Sequence, residues 1–104
     1  MTTDKELLEL AAKAAGIEIY TQIGNTVLYP VGKYLGHWNP LTSNDDALRL
    51  AVKLRMEIDI AENWVAVRHY AGIKTLAERT TNEDNCTVAR RAIVRCAAEI
   101  GKSA

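Results

Sequence analysis

Seventeen residues in the middle of the chain, Trp38 to Leu54 (WNPLTSNDDALRLAVKL), constrain the fold more than any other stretch. Proline at 40 holds Asn39 out of the helical region, so the chain must turn there. Thr42 and Ser43 then offer capping hydroxyls, and Asp46 follows Ser43 at the spacing of a capping box. Asp45 and Asp46 place negative charge at the positive end of the helix dipole. From Ala47 the apolar residues recur at three and four: Ala47, Leu50, Ala51 and Leu54, with Leu48 and Val52 widening the stripe. A helix beginning near Asn44 is required, and on either side of it the period is two.

Before this helix, Thr3 and Glu6 form a second capping box, and Leu7, Leu10, Ala11 and Ala14 form one stripe, widened by Leu8 and Ala15. Gly16 supplies a left-handed stop. Ile17 to Thr21 and Thr26 to Val31 read as antiparallel strands around a Gly24-Asn25 turn. Pro30 lacks a donor and places the second strand at an edge or its end. Gly32 to His37 reads as a loop. After the central helix, Met56, Ile58 and Ile60 alternate with Glu57, Asp59 and Ala61. Trp64 to Tyr70 alternates again, Ala71-Gly72 breaks it, and Ile73 to Glu78 suits a fifth strand. A polar loop over Thr80 to Asn85 leads to a last helix, from Cys86 or Thr87 to Ile100, stopped by Gly101. Its stripe is Ala89, Ala92, Ile93, Cys96 and Ile100, with Val88 and Ala97 beside it. The order is αββαββ(β)α, an α+β domain with a mainly antiparallel sheet of four to five strands packed with three helices. At 104 residues, 1–104 make a single domain.

The central block resembles the WNPL-(T/D)-x-x-(D/G)-DALRLAV block of small tailed-phage and prophage proteins, the phage ABA sandwich domain family. Leu7 to Glu18 (LLELAAKAAGIE) and Ala89 to Ser103 (ARRAIVRCAAEIGKS) agree with it in order and spacing. The resemblance implies a layered α/β/α sandwich in a phage-derived protein of the host cytoplasm. It brings no established catalytic residues.

Chemistry is scarce in the remaining pattern. His37 and His69 sit in no ligand-spaced cluster, and no CxxC, HxH, HExxH or glycine-rich phosphate loop occurs, so neither a metal, a cofactor nor an enzyme activity is expected. Cys96 falls on an apolar stripe and reads as a small core residue. Cys86, near a helix start, is the thiol open to reaction. On one continuous helix the two lie ~15 Å apart by rise, too far for a disulfide. The opening MTTDKELLEL enters directly on an acidic helix start, and no apolar run approaches the ~20 residues of a membrane span, so a cytoplasmic protein with reduced thiols is expected.

Thirteen basic and thirteen acidic residues cancel, which removes a global field for nucleic acid and favours self-association. Three surfaces follow as candidates. Trp38 and Asn39, with the exposed-pattern aromatics Tyr20, Trp64 and Tyr70, suit a protein partner from host or phage, or a homo-oligomer held by the sheet edge. Against this, Trp38 also suits a core plug, and Asn39 a hydrogen bond to the turn backbone. Arg90, Arg91 and Arg95 form the nearest approach to a basic patch for nucleic acid, although Glu99 is placed to neutralise Arg95. His37, Trp38 and His69 define a small-molecule or nucleotide pocket if the fold brings them together.

Overall fold

The computed structural model describes residues 3–16, 19–21, 28–30, 38–78 and 83–103, with backbone alone at 19–21 and 28–30. The element order is α1 (Asp4–Ala15), β1 (Ile19–Thr21), β2 (Leu28–Pro30), α2 (Asn44–Lys53), β3 (Glu57–Ile60), β4 (Trp64–Arg68), β5 (Lys74–Glu78) and α3 (Asn85–Ser103). The Gly24-Asn25 turn, the 32–37 loop with His37, and residues 79–82 of the polar loop lie outside the described residues.

Both capping boxes set their helices. The Thr3 hydroxyl accepts from the Glu6 amide at 3.2 Å, and the Ser43 hydroxyl accepts from the Asp46 amide at the same distance. Gly16 ends α1 in the left-handed region, its N–H reaching the carbonyls of Ala12 and Lys13. The exit from α2 uses the same geometry with an unusual residue. The Met56 amide donates to the Ala51 carbonyl and that of Arg55 to Val52, a Schellman arrangement, and Arg55 sits at φ 54° where glycine is the usual occupant.

The strands divide into two sheets, where one sheet of four to five strands was expected. β1 and β2 pair with each other, Pro30 opposite Ile19, while β3, β4 and β5 form an antiparallel meander in that order. Three-residue strands, one ending in a proline that cannot donate, offer little ladder to extend. In the meander, Ile58, Ile60, Val65, Val67, Thr75 and Ala77 share one face by register. Val65, Val67 and Ala77 are buried there.

α3 lies across that face, in contact with β4 and β5, and carries α1 and α2 on its other sides. The Thr75 hydroxyl donates to the Ala92 carbonyl at 2.9 Å, fixing β5 to the helix. A helix surrounded in this way is buried on more than one stripe: Val94, Ala98 and Gly101 are buried beside Val88, Ala92, Ile93, Cys96 and Ala97. Gly101 therefore corrects the sequence reading. It does not stop α3, which continues to Ser103, and a Cβ at Gly101 would collide with the Leu10 carbonyl of α1. Glycine is there for the close approach of two helices, aided by the buried small residues Ala11, Ala12 and Ala15. A second correction concerns α2. Leu48 and Val52 stand 61% and 68% exposed, on a line of their own outside the buried stripe of Ala47, Leu50 and Ala51.

Candidate functional site

The Trp38 turn is built as a joint. Trp38 is 7% exposed and belongs to the core cluster, with Pro40 fully buried beside it in sequence. Asn39 works entirely inside the turn. Its side-chain oxygen accepts from the Leu41 amide at 3.1 Å, and its own amide donates to the Asp46 carboxylate at 2.9 Å. Its carbonyl accepts from the amides of Thr42 and Ser43. Asp46 thus holds the turn onto the first turn of α2, which gives one of the two acids there a structural use.

Two of the three arginines are likewise engaged. Arg90 reaches from α3 to the same turn, its Nε donating to the Leu41 carbonyl at 2.9 Å and its Nη atoms to Asn44 Oδ1 and Thr87 Oγ1. Arg91 grips Glu83 with both terminal nitrogens, at 2.7 and 3.1 Å, and donating these hydrogen bonds to the Glu83 carboxylate raises its pKa. Arg95 is exposed and forms no ion pair among the described residues. The three therefore do not present three free guanidinium groups to a phosphate backbone.

The remaining aromatics mark two separate surfaces. Trp64 opens β4 and is 37% exposed; Tyr70 lies beyond its end and is 85% exposed. Strand β4 alone carries the chain ~13 Å from Trp64 to Arg68, and Tyr70 lies in the turn beyond it. Trp64 belongs to the face of the meander that no described element covers. By register that face holds three cross-strand rows: Glu57, Arg68 and Lys74; then Asp59, Ala66 and Leu76; then Trp64 with Glu78. A groove of about 450 Å³ runs over it, lined by Asn63, Trp64, Ala66, Arg68, Lys74, Leu76 and Glu78. Ala66, at its floor, is 1% exposed because the longer side chains around it stand above it, while Leu76 is 53% exposed. Sequence reasoning missed Leu76 as a surface residue. The signal was present: in β5 it falls on the same parity as Lys74 and Glu78, so it had to face outward with them.

Tyr70 belongs to a second cleft, of about 410 Å³, lined by Lys53, Leu54, Arg55, His69 and Tyr70. The His69 and Tyr70 rings lie 4.1 Å apart at 35°, and His69 Nδ1 accepts from the Ala71 amide at 3.2 Å. Trp38, being in the core, does not line this cleft with His69.

Among the described residues no three His, Cys, Asp or Glu side chains converge as a metal site requires, and no helix is long and apolar enough to cross a membrane. Cys86 is exposed and Cys96 buried, both as free thiols, and burial pushes the Cys96 thiol pKa up. Against family models, curated proteins and solved structures, the chain finds no match.

Proposed function

We infer that this is a non-enzymatic protein-binding module, a phage- or prophage-derived accessory protein acting in the host cytoplasm. Its contact face is the open side of the β3-β4-β5 meander. The observation that carries the reading is Trp64, 37% exposed on a sheet face that no described element covers, beside Leu76 and over a floor of Ala66. Tryptophan in such a setting is the residue that most often anchors a protein contact. A sheet face bearing exposed apolar side chains gains free energy when a partner removes them from water. The resemblance of Trp38 to Leu54 to the phage block supports the origin. In this reading the α/β/α layering is incomplete among the described residues, and the partner supplies the layer over the open face.

The test is replacement of Trp64 by alanine, with folding followed by circular dichroism and binding by capture from host lysate and purified phage components. A folded variant that loses a stoichiometric protein retained by the wild type supports the reading. A wild type that retains no protein, itself included, removes it.

One observation favours a second reading, a small anionic ligand in the Lys53–Tyr70 cleft. Its lining has two fixed cations, an imidazole and an aromatic ring, with no acid. One of those cations, Arg55, occupies a left-handed position that glycine would fill with less strain. Retention of an ATP or inorganic phosphate probe that disappears in Arg55→Gly would establish it. The nucleic-acid alternative, resting on Arg90, Arg91 and Arg95, has less support because the first two are bonded internally.

A further inference from the structure

We propose that the occupant of the open sheet face is a second copy of this chain, docked about a two-fold axis that lies in the interface and crosses the strands at the Asp59–Ala66–Leu76 row. The inference rests on the protein-binding reading above and commits it to one partner.

The argument is one of charge and register. The outer face carries three rows two residues apart along the strands, and the Ala66 row is the middle one. A two-fold axis along that row lays the first row of one copy over the third row of the other. Lys74 then faces Glu78 of the second copy, and Glu78 faces its Lys74. Arg68 lies over the indole of the second copy's Trp64, a cation–π arrangement made twice. Leu76 meets Leu76, apolar against apolar, while the two Ala66 floors lie opposite one another beneath the side chains that surround them. An isologous contact needs such self-complementarity, and most homo-oligomers are built from it. The other in-plane axis, running along β4, fails the same test because it stacks Arg68 upon Arg68.

The single-chain structure leaves these groups available. Arg68, Lys74 and Glu78 are exposed, and none of them forms an ion pair among the described residues. Lys74 and Glu78 are four residues apart on one strand, ~13 Å, so they do not neutralise each other within the chain. A face with opposite charges at its two ends and an apolar middle is left incomplete by one copy and closed by two. The net charge of zero raises no long-range barrier to the approach.

Size sets the strength. Three strands ~4.8 Å apart and five residues at ~3.4 Å each make a patch of roughly 14 by 17 Å. Both copies together bury far less than the ~1,200 Å² at which stable specific interfaces begin. The dimer is therefore weak and concentration-dependent, and its affinity is easily moved by single charges. One contact opposes it: Asp59 meets its own copy at the β3 rim.

Sedimentation equilibrium from micromolar to millimolar protein tests this, with circular dichroism to confirm that each variant is folded. Lys74→Glu and Glu78→Lys each set like charges opposite one another at two symmetric places and weaken dimerisation about tenfold. An equimolar mixture of the two variants sets two acids against two lysines in each mixed pair, and association returns to the wild-type level. Asp59→Asn strengthens the dimer. The inference is overturned by a wild type that stays a monomer throughout, by a dimer indifferent to both charge reversals, or by a mixture no better than its components. A monomer that still binds another protein through Trp64 removes the second copy and keeps the binding-module reading. A monomer that binds nothing removes both.

Discussion

Replacing Gly101 by alanine decides between two accounts of the last helix. Were Gly101 an unconstrained residue inside α3, alanine would stabilise the helix by ~1 kcal/mol through its higher propensity. The structure sets a second effect against that gain. The new Cβ meets the Leu10 carbonyl, and the atoms nearest to it, the Leu10 carbonyl carbon and Cα included, are all backbone. Backbone cannot swing aside as a side-chain tip can, so α1 and α3 must separate. Overpacking of this kind costs about 1–3 kcal/mol, and the separation also loosens contacts around Ala11, Ala12 and Ala15. A Cβ pressed this closely on a backbone oxygen takes the packing loss to the upper part of that range, ~2–3 kcal/mol. After the ~1 kcal/mol propensity gain, the net destabilisation is ~1–2 kcal/mol. For a domain of this size that lowers the melting temperature by roughly 4–16 °C. Urea and thermal unfolding measure it, and hydrogen exchange in α1 should rise with it. A variant as stable as the wild type, or more so, refutes the close approach of the two helices.

Four further outcomes are expected. Arg55→Gly raises stability by ~1 kcal/mol in urea unfolding, because the left-handed Schellman position no longer strains a side chain. Arg90→Ala lowers stability by ~1–2 kcal/mol by releasing the Leu41 carbonyl and Asn44 from α3, whereas an arginine held only for nucleic acid would leave unfolding unchanged. In native protein a thiol reagent modifies Cys86 quickly and Cys96 only after denaturation, since burial both covers Cys96 and disfavours its thiolate; two equally fast thiols would contradict its placement. Asp84, whose pKa is lowered chiefly by the hydrogen bond from the Thr87 amide, contributes stability above its unfolded pKa. That contribution is lost as pH falls through the folded pKa, so Asp84→Asn flattens the acid limb of the stability profile; an unchanged limb would remove Asp84 as the α3 cap.

What could be read from the sequence was local. The Thr3 and Ser43 boxes, the Gly16 stop and the alternation of β3 and β4 each follow from residues within four positions of one another. The unread features are set by partners far away in sequence. Arg90 looks like part of a basic run until Leu41 and Asn44, 49 and 46 residues earlier, are placed beside it. Gly101 looks like a stop signal until Leu10 arrives from the other end of the chain. Leu48 and Val52 fit a wide apolar stripe until the packing of α2 on α3 selects a narrow one. The division into two sheets has the same origin, since alternation predicts strands but not which strands pair. At the candidate face, Trp64 was found by residue type and the shared parity of Lys74, Leu76 and Glu78 was readable, while their placement beside Trp64 and Ala66 emerged only with the register.

The pairing of α1 with α3 has a consequence for how the chain is made. α1 is the first described element to leave the ribosome, and its support is the last, with roughly 70 residues between Ala15 and Asn85. At ~5–20 residues per second, the buried side of α1 waits several seconds without a partner. Only Leu8 among its fully buried residues is large; the others are Ala11, Ala12 and Ala15. The same alanines that let α3 come close later keep the apolar surface of the α3-facing side of a nascent helix small.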